Sequence, residues 1–431
     1  MNDGDSSATS SPTPTPSAHA RSREELADYL LDIGATLASY GCPSYRLEDV
    51  IRLVAESEGF RAEPFALPTG LFLRVIPKEE SDVPVPEVHR MTRLKDWAVD
   101  LDRLTLVDGI FNDVARRRAT IEQARARIRE VVKRPPLWSP ALVWAATTVS
   151  AGAAAVFFRG GIVDVLVASI VGAAIGGSRI ALDRKPAHRL LSEFMGGLFA
   201  AVCAWLATRV WPSASPEVIV LAGAISLFPG MTFTTGLAEV AQKNLVSWGA
   251  RLMESAVTLL LTLFGVALVA GLQKVTGASL PIADADRHGL GLPYQALALI
   301  VSAIAFAILF QVPRRYLWAA LVSGATGYTV TALATRYLSQ APHVAAFCAA
   351  LAVCTLANIL ARVTDRPAQL FQLPGMILLV PGSFGFVSLG QLLAKRPEAG
   401  VQEAFTMALV GAALVIGVLV ANVVMPPRKL L

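Results

Sequence analysis

The chain has 431 residues, of which 54% are hydrophobic and 16% charged, and a formal net charge of +5. An ordinary soluble domain carries about 25% charged and about 45–50% apolar residues, so a soluble globular enzyme is excluded. The charge is unevenly spread: residues 1–134 hold 19 Lys and Arg against 22 Asp and Glu, net −3, and the remainder holds 19 against 11, net +8. The basic excess therefore belongs to the apolar part, where it fits loops facing anionic lipid and not a nucleic-acid surface.

Taken in chain order, residues 5–18 are rich in Ser, Thr and Pro and lack apolar periodicity. Such a stretch cannot bury enough surface to offset its ordering entropy, so residues 1–21 are expected to be a disordered tail. Leu26, Leu30, Ile33 and Leu37 then fall on one helical face, and Gly41 and Pro43 end that helix. A second short helix carries Leu47, Ile51 and Val54. From Arg61 to Val88, Pro and Gly alternate with short apolar runs, which predicts strands and turns. Two more helices are expected at about 100–117 and 119–133, the second strongly basic. Residues 22–134 are thus expected to form a cytoplasmic α+β domain.

Ten apolar segments follow, at about 137–158, 162–182, 190–211, 218–238, 252–272, 293–311, 317–338, 343–361, 370–393 and 403–425. Each is near the ~20 residues that cross a hydrocarbon core as a helix. The first of them starts near Leu137, so no signal peptide is expected. With the N-terminus on the cytoplasmic side, twelve Lys and Arg of the gaps and span ends fall on that side and seven on the other. The positive-inside rule then puts both termini in the cytoplasm of a multi-pass inner-membrane protein.

A shift of 152 residues superimposes the two halves of the apolar region and carries Pro229-Gly230 onto Pro381-Gly382 and Lys243 onto Lys395. Five spans per half is an odd number, so the second half would enter the membrane upside down, as in the inverted repeats of secondary transporters. The expected architecture is a polytopic α-helical membrane protein of ten spans, a 5+5 inverted repeat. One five-helix unit occupies 135–273, an extracytoplasmic loop 274–292 and the second unit 293–431.

Chemistry concentrates where the spans are interrupted. Pro-Gly at mid-membrane depth predicts a broken helix, because proline removes a backbone donor and clashes with the preceding turn. Broken helices persist in a bilayer only where protein or a water-filled cavity satisfies the freed groups. Pro229-Gly230 in the fourth span, and Pro374-Gly375 and Pro381-Gly382 in the ninth, are the expected breaks, with Thr232, Thr234, Thr235 and Ser383 supplying hydroxyls nearby. Asn358 lies inside the eighth span and needs a partner, either a neighbouring helix or a substrate. Glu239, Lys243, Asn244, Arg251 and Glu254 form a polar cluster between spans four and five. Glu239, Lys243, Arg251 and Glu254 are candidates for ion pairing or coupling, since ionisable groups at membrane depth mark pathways. Asp164 and Glu193 read as interfacial residues at helix ends.

The four cysteines, Cys42, Cys203, Cys348 and Cys354, make no disulfide framework. Cys42 with His89, Arg90, Thr92 and Arg93 has no hydrolase spacing. No phosphate-binding loop, dinucleotide fingerprint or metal-spaced cluster occurs, which argues against an ATP-driven pump. No cofactor or metal is expected.

Three stretches carry a family resemblance: LLDIGATLASYGCPSYRLEDVI (Leu30 to Ile51) with the later Thr92-Arg93, LFPGMTFTTGLAEVAQKNLVSWGAR (Leu227 to Arg251), and LPGMILLVPGSFGF (Leu373 to Phe386). They resemble the threonine/serine exporter family of bacterial inner-membrane carriers, over about residues 22–426. The resemblance implies export of small amino acids, typically threonine and serine, driven by the proton-motive force as an antiport. In relatives split into two chains it implies a dicarboxylate, succinate. The family's motif maps here to Pro229, Gly230, Glu239, Asn244, Gly249 and Arg251. Expected partners are the small-molecule substrate, protons and the lipid bilayer, with a homo-oligomer left open and no nucleic acid. A membrane-anchored enzyme or sensor using the soluble part is the reading from a different class.

Overall fold

The computed structural model describes residues 18–77, 87–94, 98–182, 186–275, 289–338 and 341–426. The expected tail falls outside them up to residue 17, as does most of the loop expected at 274–292.

The N-terminal part, here the head, begins with α1 (Ala18–Ser39), which starts inside the stretch expected to be tail, and α2 (Ser44–Ser57). Leu26, Leu30, Ile33 and Leu37 of α1 and Leu47, Ile51 and Val54 of α2 are buried, as the periodicity requires. Gly41 makes the turn between the helices with φ +91°, a conformation that glycine adopts without steric cost. A three-stranded antiparallel sheet follows, β1 (Phe60–Leu67), β2 (Gly70–Pro77) and β3 (Val88–Arg93), in that spatial order. Its buried face carries Ala62, Ala66, Leu71, Leu73 and Val75. Pro64 is tolerated because β1 is an edge strand. The last two head helices are α3 (Leu101–Ala115) and α4 (Ile121–Lys133). Asp100 caps α3 by accepting from the Arg103 amide, and Thr120 with Gln123 forms a capping box at α4.

The apolar part comprises α5 (Pro140–Phe157), α6 (Ile162–Leu182), α7 (Pro186–Val210), α8 (Pro216–Gly223), α9 (Gly230–Ala241), α10 (Leu245–Val275), α11 (Leu292–Leu309), α12 (Leu317–Tyr337), α13 (Pro342–Thr364), α14 (Gln369–Met376), α15 (Gly382–Leu393) and α16 (Pro397–Val424). Several of these helices begin on proline, whose missing N–H is an orphan at the first helical position anyway. Among the described residues, nine helical stretches are long and apolar enough to cross a bilayer. A tenth results if the pair Pro216–Gly223 and Ile225–Ala241, bent by 45°, is one span. Large apolar side chains such as Leu166, Ile170, Phe264, Leu297, Phe405 and Ile416 face outward, as a protein solvated by lipid requires. Between helices the contacts are made by small residues. A Cβ on Gly172 would lie 2.6 Å from that of Ala151, and one on Gly417 would lie 2.7 Å from that of Ala350. The architecture is that of a polytopic helical membrane protein with a small sheet-bearing head.

Several elements recur at a spacing of 152 residues. Helices α5 and α11 each have 18 residues, and α9 and α15 each have 12. Short 3-10 turns occupy Ile225–Leu227 and Ile377–Leu379. All of these correspond by a shift of 152 residues, and so do two pairs of left-handed non-glycine residues, Arg159 with Gln311 and Lys243 with Lys395. Each of the four follows a helix C-terminus with the same two hydrogen bonds. At Lys243, its amide donates to the Val240 carbonyl and the Asn244 amide to that of Glu239; at Lys395, the acceptors are Leu392 and Gln391.

Candidate functional site

The interruptions at Pro229 and Pro381 share one backbone shape. Phe228 and Val380, each preceding a proline, are extended (φ −72°, ψ 126° and φ −68°, ψ 130°). That is the region to which a following proline ring confines a residue. The prolines themselves, at φ −81°, start α9 and α15 without a capping side chain. The two breaks meet: a Cβ on Gly382 would lie 3.4 Å from both N and Cα of Gly230, and the rings of Phe228 and Phe386 stack at 5.0 Å. Two helix N-termini, each a weakly positive end with unsatisfied amides, therefore converge near the centre of the helical part.

Beside this crossing lies a cavity of about 470 Å³. Its lining includes Ile225 from one 3-10 turn, Ile377 from the other, and Val380 and Ser383 from the second break. Its polar groups are Ser150, Ser302, Ser383, Gln295, Tyr328 and Arg159. The Tyr328 hydroxyl donates to Gln295 Oε1 at 2.8 Å, which leaves the amide oriented by two anchors, since Gln295 Nε2 donates to the Leu290 carbonyl at 3.2 Å. Ser150 and Ser302 correspond under the 152-residue shift, as do Ile225 and Ile377. Arg159 is exposed and is the only charged side chain in this lining. Its exposed lining residue, Arg159, follows the C-terminus of α5, and Gln295 lies in the first turn of α11.

Of the expected site residues, Ser383 and the Pro381-Gly382 break sit at the cavity, whereas Thr232, Thr234, Thr235 and Asn244 do not line it. Thr234 Oγ1 is buried with no hydrogen-bond partner among the described residues. One expected break is absent. Pro374-Gly375 does not break the ninth span: Pro374 lies inside α14, which runs on to Met376. Gly375 is there for packing, since a Cβ would lie 2.8 Å from Val353 Cγ1 and 3.0 Å from the Ser323 carbonyl. Asn358 has a partner on a neighbouring helix, one of the two alternatives expected for it. Its Nδ2 donates to Asn422 Oδ1 at 2.9 Å and to the Met425 carbonyl at 2.8 Å.

The charged cluster divides. Glu239 is fully buried, and one carboxylate oxygen accepts from Asn244 Nδ2 at 3.3 Å while Arg251 Nε stands 3.8 Å from the other. That other oxygen also accepts, at 2.8 Å, from the backbone amide of Ser44 in the head. Lys243 is exposed in its left-handed turn, outside this group. Glu254 is half-buried one turn beyond Arg251, in a helix that starts at Leu245 and not, as expected, at about 252. Asp164 lies in the first turn of α6, at a helix end as expected, and is buried, accepting from the Gly161 and Ser215 amides. Glu193, also expected at an interface, is buried in α7. In the head, Cys42 is buried and feels the charges of Arg46, Glu239 and Arg251, while His89 is exposed on β3 and contacts Glu87. These two are not a nucleophile and its base.

The fold defines a multi-pass membrane protein with two crossed helix breaks. Residues 28–273 match the threonine/serine exporter family model ThrE, and residues 295–424 match a second model, "Threonine/Serine exporter, ThrE". The chain belongs to the threonine/serine exporter family. It is 24% identical over 385 residues to uncharacterized protein C16A10.01 of Schizosaccharomyces pombe, covering 86% of this chain and 45% of that protein. It is 24% identical over 371 residues to uncharacterized protein C7D4.12c of the same yeast, covering 82% and 47%. Pheromone-regulated membrane protein 10 of Debaryomyces hansenii is 21% identical over 380 residues, covering 86% and 37%. The chain thus spans less than half the length of these relatives. No solved structure matches it.

Proposed function

We propose that the protein is a secondary transporter that exports threonine and serine from the cytoplasm by proton antiport. The observation that carries this is the meeting of Gly230 and Gly382 beside a 470 Å³ cavity. Two helix breaks from corresponding places in two halves are what a carrier needs at a central site: converging amide ends suit a substrate carboxylate, and serine and glutamine side chains suit an ammonium or hydroxyl. On this reading the halves, 135–273 and 293–431, are an inverted five-span repeat supported by their shared turns and caps. The head, residues 22–134, lies in the cytoplasm with both termini, and Glu239 is the coupling carboxylate. Reconstituted protein should accumulate or release labelled threonine or serine in response to an imposed proton gradient. Absence of any gradient-dependent flux of either would refute the reading.

One observation favours a second substrate class. The cavity lining includes Arg159 and no Asp or Glu among the described residues, so a dicarboxylate such as succinate would find a cation there and no repelling charge. Flux of succinate surpassing that of threonine in the same vesicles would favour it.

A further inference from the structure

We propose that the head is the gate at the end of the transporter remote from Arg159, with the Ser44 amide at the N-terminus of α2 latching the Glu239 carboxylate in the closed state. This rests on the transport reading given above.

Helix α2 begins after Pro43, which makes no side-chain cap. The N-terminal amides of a helix ordinarily take a Ser, Thr, Asp or Asn oxygen as acceptor. Here the acceptor comes from 195 residues away, Glu239 Oε1 at 2.8 Å, and the carboxylate lies against the weakly positive helix end. A second tie lies alongside: Ser247 Oγ, in the first turn of α10, is 3.2 Å from the Ala66 carbonyl and 3.3 Å from Ser44 Oγ. These contacts hold the head to α9 and α10 of the first half.

The head is bound to the second half as well. The Leu101 amide of α3 donates to the Phe310 carbonyl at the end of α11 at 2.9 Å. The head's apolar core is continuous with Val312, Tyr316, Ala357, Ala361 and Phe371 of the second half. One compact body thus bridges both halves at the same end. The exposed part of the cavity lining, Arg159 after the C-terminus of α5 with Gln295 in the first turn of α11, lies at the other end of α11 from Phe310, where the head is bound. Rocking of one half against the other, the motion by which repeat-built carriers alternate access, must break one of the two attachments. The apolar attachment is a continuous buried core. The polar one is a handful of hydrogen bonds around one carboxylate, so that is the one that opens.

Cys42 reports the state of this joint, being 4% exposed, two residues before Ser44 and within electrostatic reach of Glu239 and Arg251. Full-length protein in vesicles is treated with N-ethylmaleimide, and Cys42 modification is followed by peptide mass. In wild type at rest the labelling should be slow. It should rise in the order wild type, E239Q, E239A, reaching about tenfold in E239A, because the amide of Gln keeps the volume and one acceptor. Equal labelling in the three overturns the latch, whatever the protein transports. In a second arm, S44C/S247C is oxidised to cross-link the joint. Flux should stop and return on reduction; a cross-linked protein that transports at the reduced rate also overturns the gate. If wild type carries neither threonine, serine nor succinate, the transport reading falls while the labelling series still decides the latch.

Discussion

Gly230 and Gly382, 152 positions apart, approach backbone to backbone, so that a Cβ on Gly230 would lie 3.3 Å from the Gly382 amide nitrogen and would collide with Val380 Cγ1. The crossing therefore tolerates no side chain on the first glycine unless Val380 yields. Adding a methyl to a packed site costs about 1–3 kcal/mol. Gly230→Ala should lower the thermal midpoint in detergent accordingly. In a double-mutant cycle with Val380→Ala, the same glycine change should cost much less, because the atom it strikes has gone. Additive losses would show that the crossing is not the site of the strain.

The Cys42 thiol is pushed up to about 12, first by burial and then by the Glu239 carboxylate, against the lowering influence of Arg46 and Arg251. An exposed thiol titrates near ~8.5. Iodoacetamide reacts with the thiolate, so its rate at Cys42 should stay low from pH 7 to 10 in folded protein and rise near pH 8.5 only after unfolding. The sign for stability follows from the raised folded value. The contribution of the neutral thiol is complete below the unfolded pKa and is lost as pH rises through about 12. Above about pH 8.5, the midpoint of wild type should therefore fall more steeply than that of Cys42→Ala. Parallel curves would mean that the thiol is not sealed at the joint.

Asn358 links α13 to the end of α16 through Asn422 and the Met425 carbonyl. Inter-helix hydrogen bonds in membranes average about 0.6 kcal/mol and reach about 1.7. Asn358→Leu should cost roughly 1–2 kcal/mol on that scale, read as a lower midpoint, while KM for threonine stays within about twofold. A large rise in KM with unchanged stability would return Asn358 to the substrate path.

Much of this was legible in the sequence for a plain reason. A bilayer demands about twenty apolar residues per span, and each expected span has a helical counterpart, with most ends shifted by only a few residues. The 152-residue shift was likewise legible from Pro229-Gly230 and Lys243. Other features depend on tertiary position. Pro374 looks like Pro381 in sequence, but it falls at the sixth residue of a short helix that simply accommodates it. Ser150 and Ser302 look like hydroxyls in apolar helices that bond their own turn, as both do here. Nothing local says that they also line a cavity, although their correspondence under the shift was a usable signal. The Ser44–Glu239 bond joins residues 195 apart, and no periodicity reports such a pairing.

Two cations separate what charge patterning suggests from what the cavity uses. Lys243 stood out in the sequence because it lies among Glu239, Asn244 and Arg251, yet it is an exposed helix cap whose counterpart Lys395 does the same job in the other half. Arg159 reads in the sequence as one of the seven basic residues on the side opposite the N-terminus, yet its side chain borders the cavity. A hydrogen bond to a charged group is worth about 1.5–3 kcal/mol, roughly ten- to a hundredfold in affinity. Arg159→Gln should therefore raise KM for the transported carboxylate about tenfold or more in reconstituted vesicles. Lys243→Gln should leave KM within about twofold, since its left-handed backbone suits glutamine no worse than lysine. The reverse pattern would move the substrate site from the cavity to the Glu239 cluster.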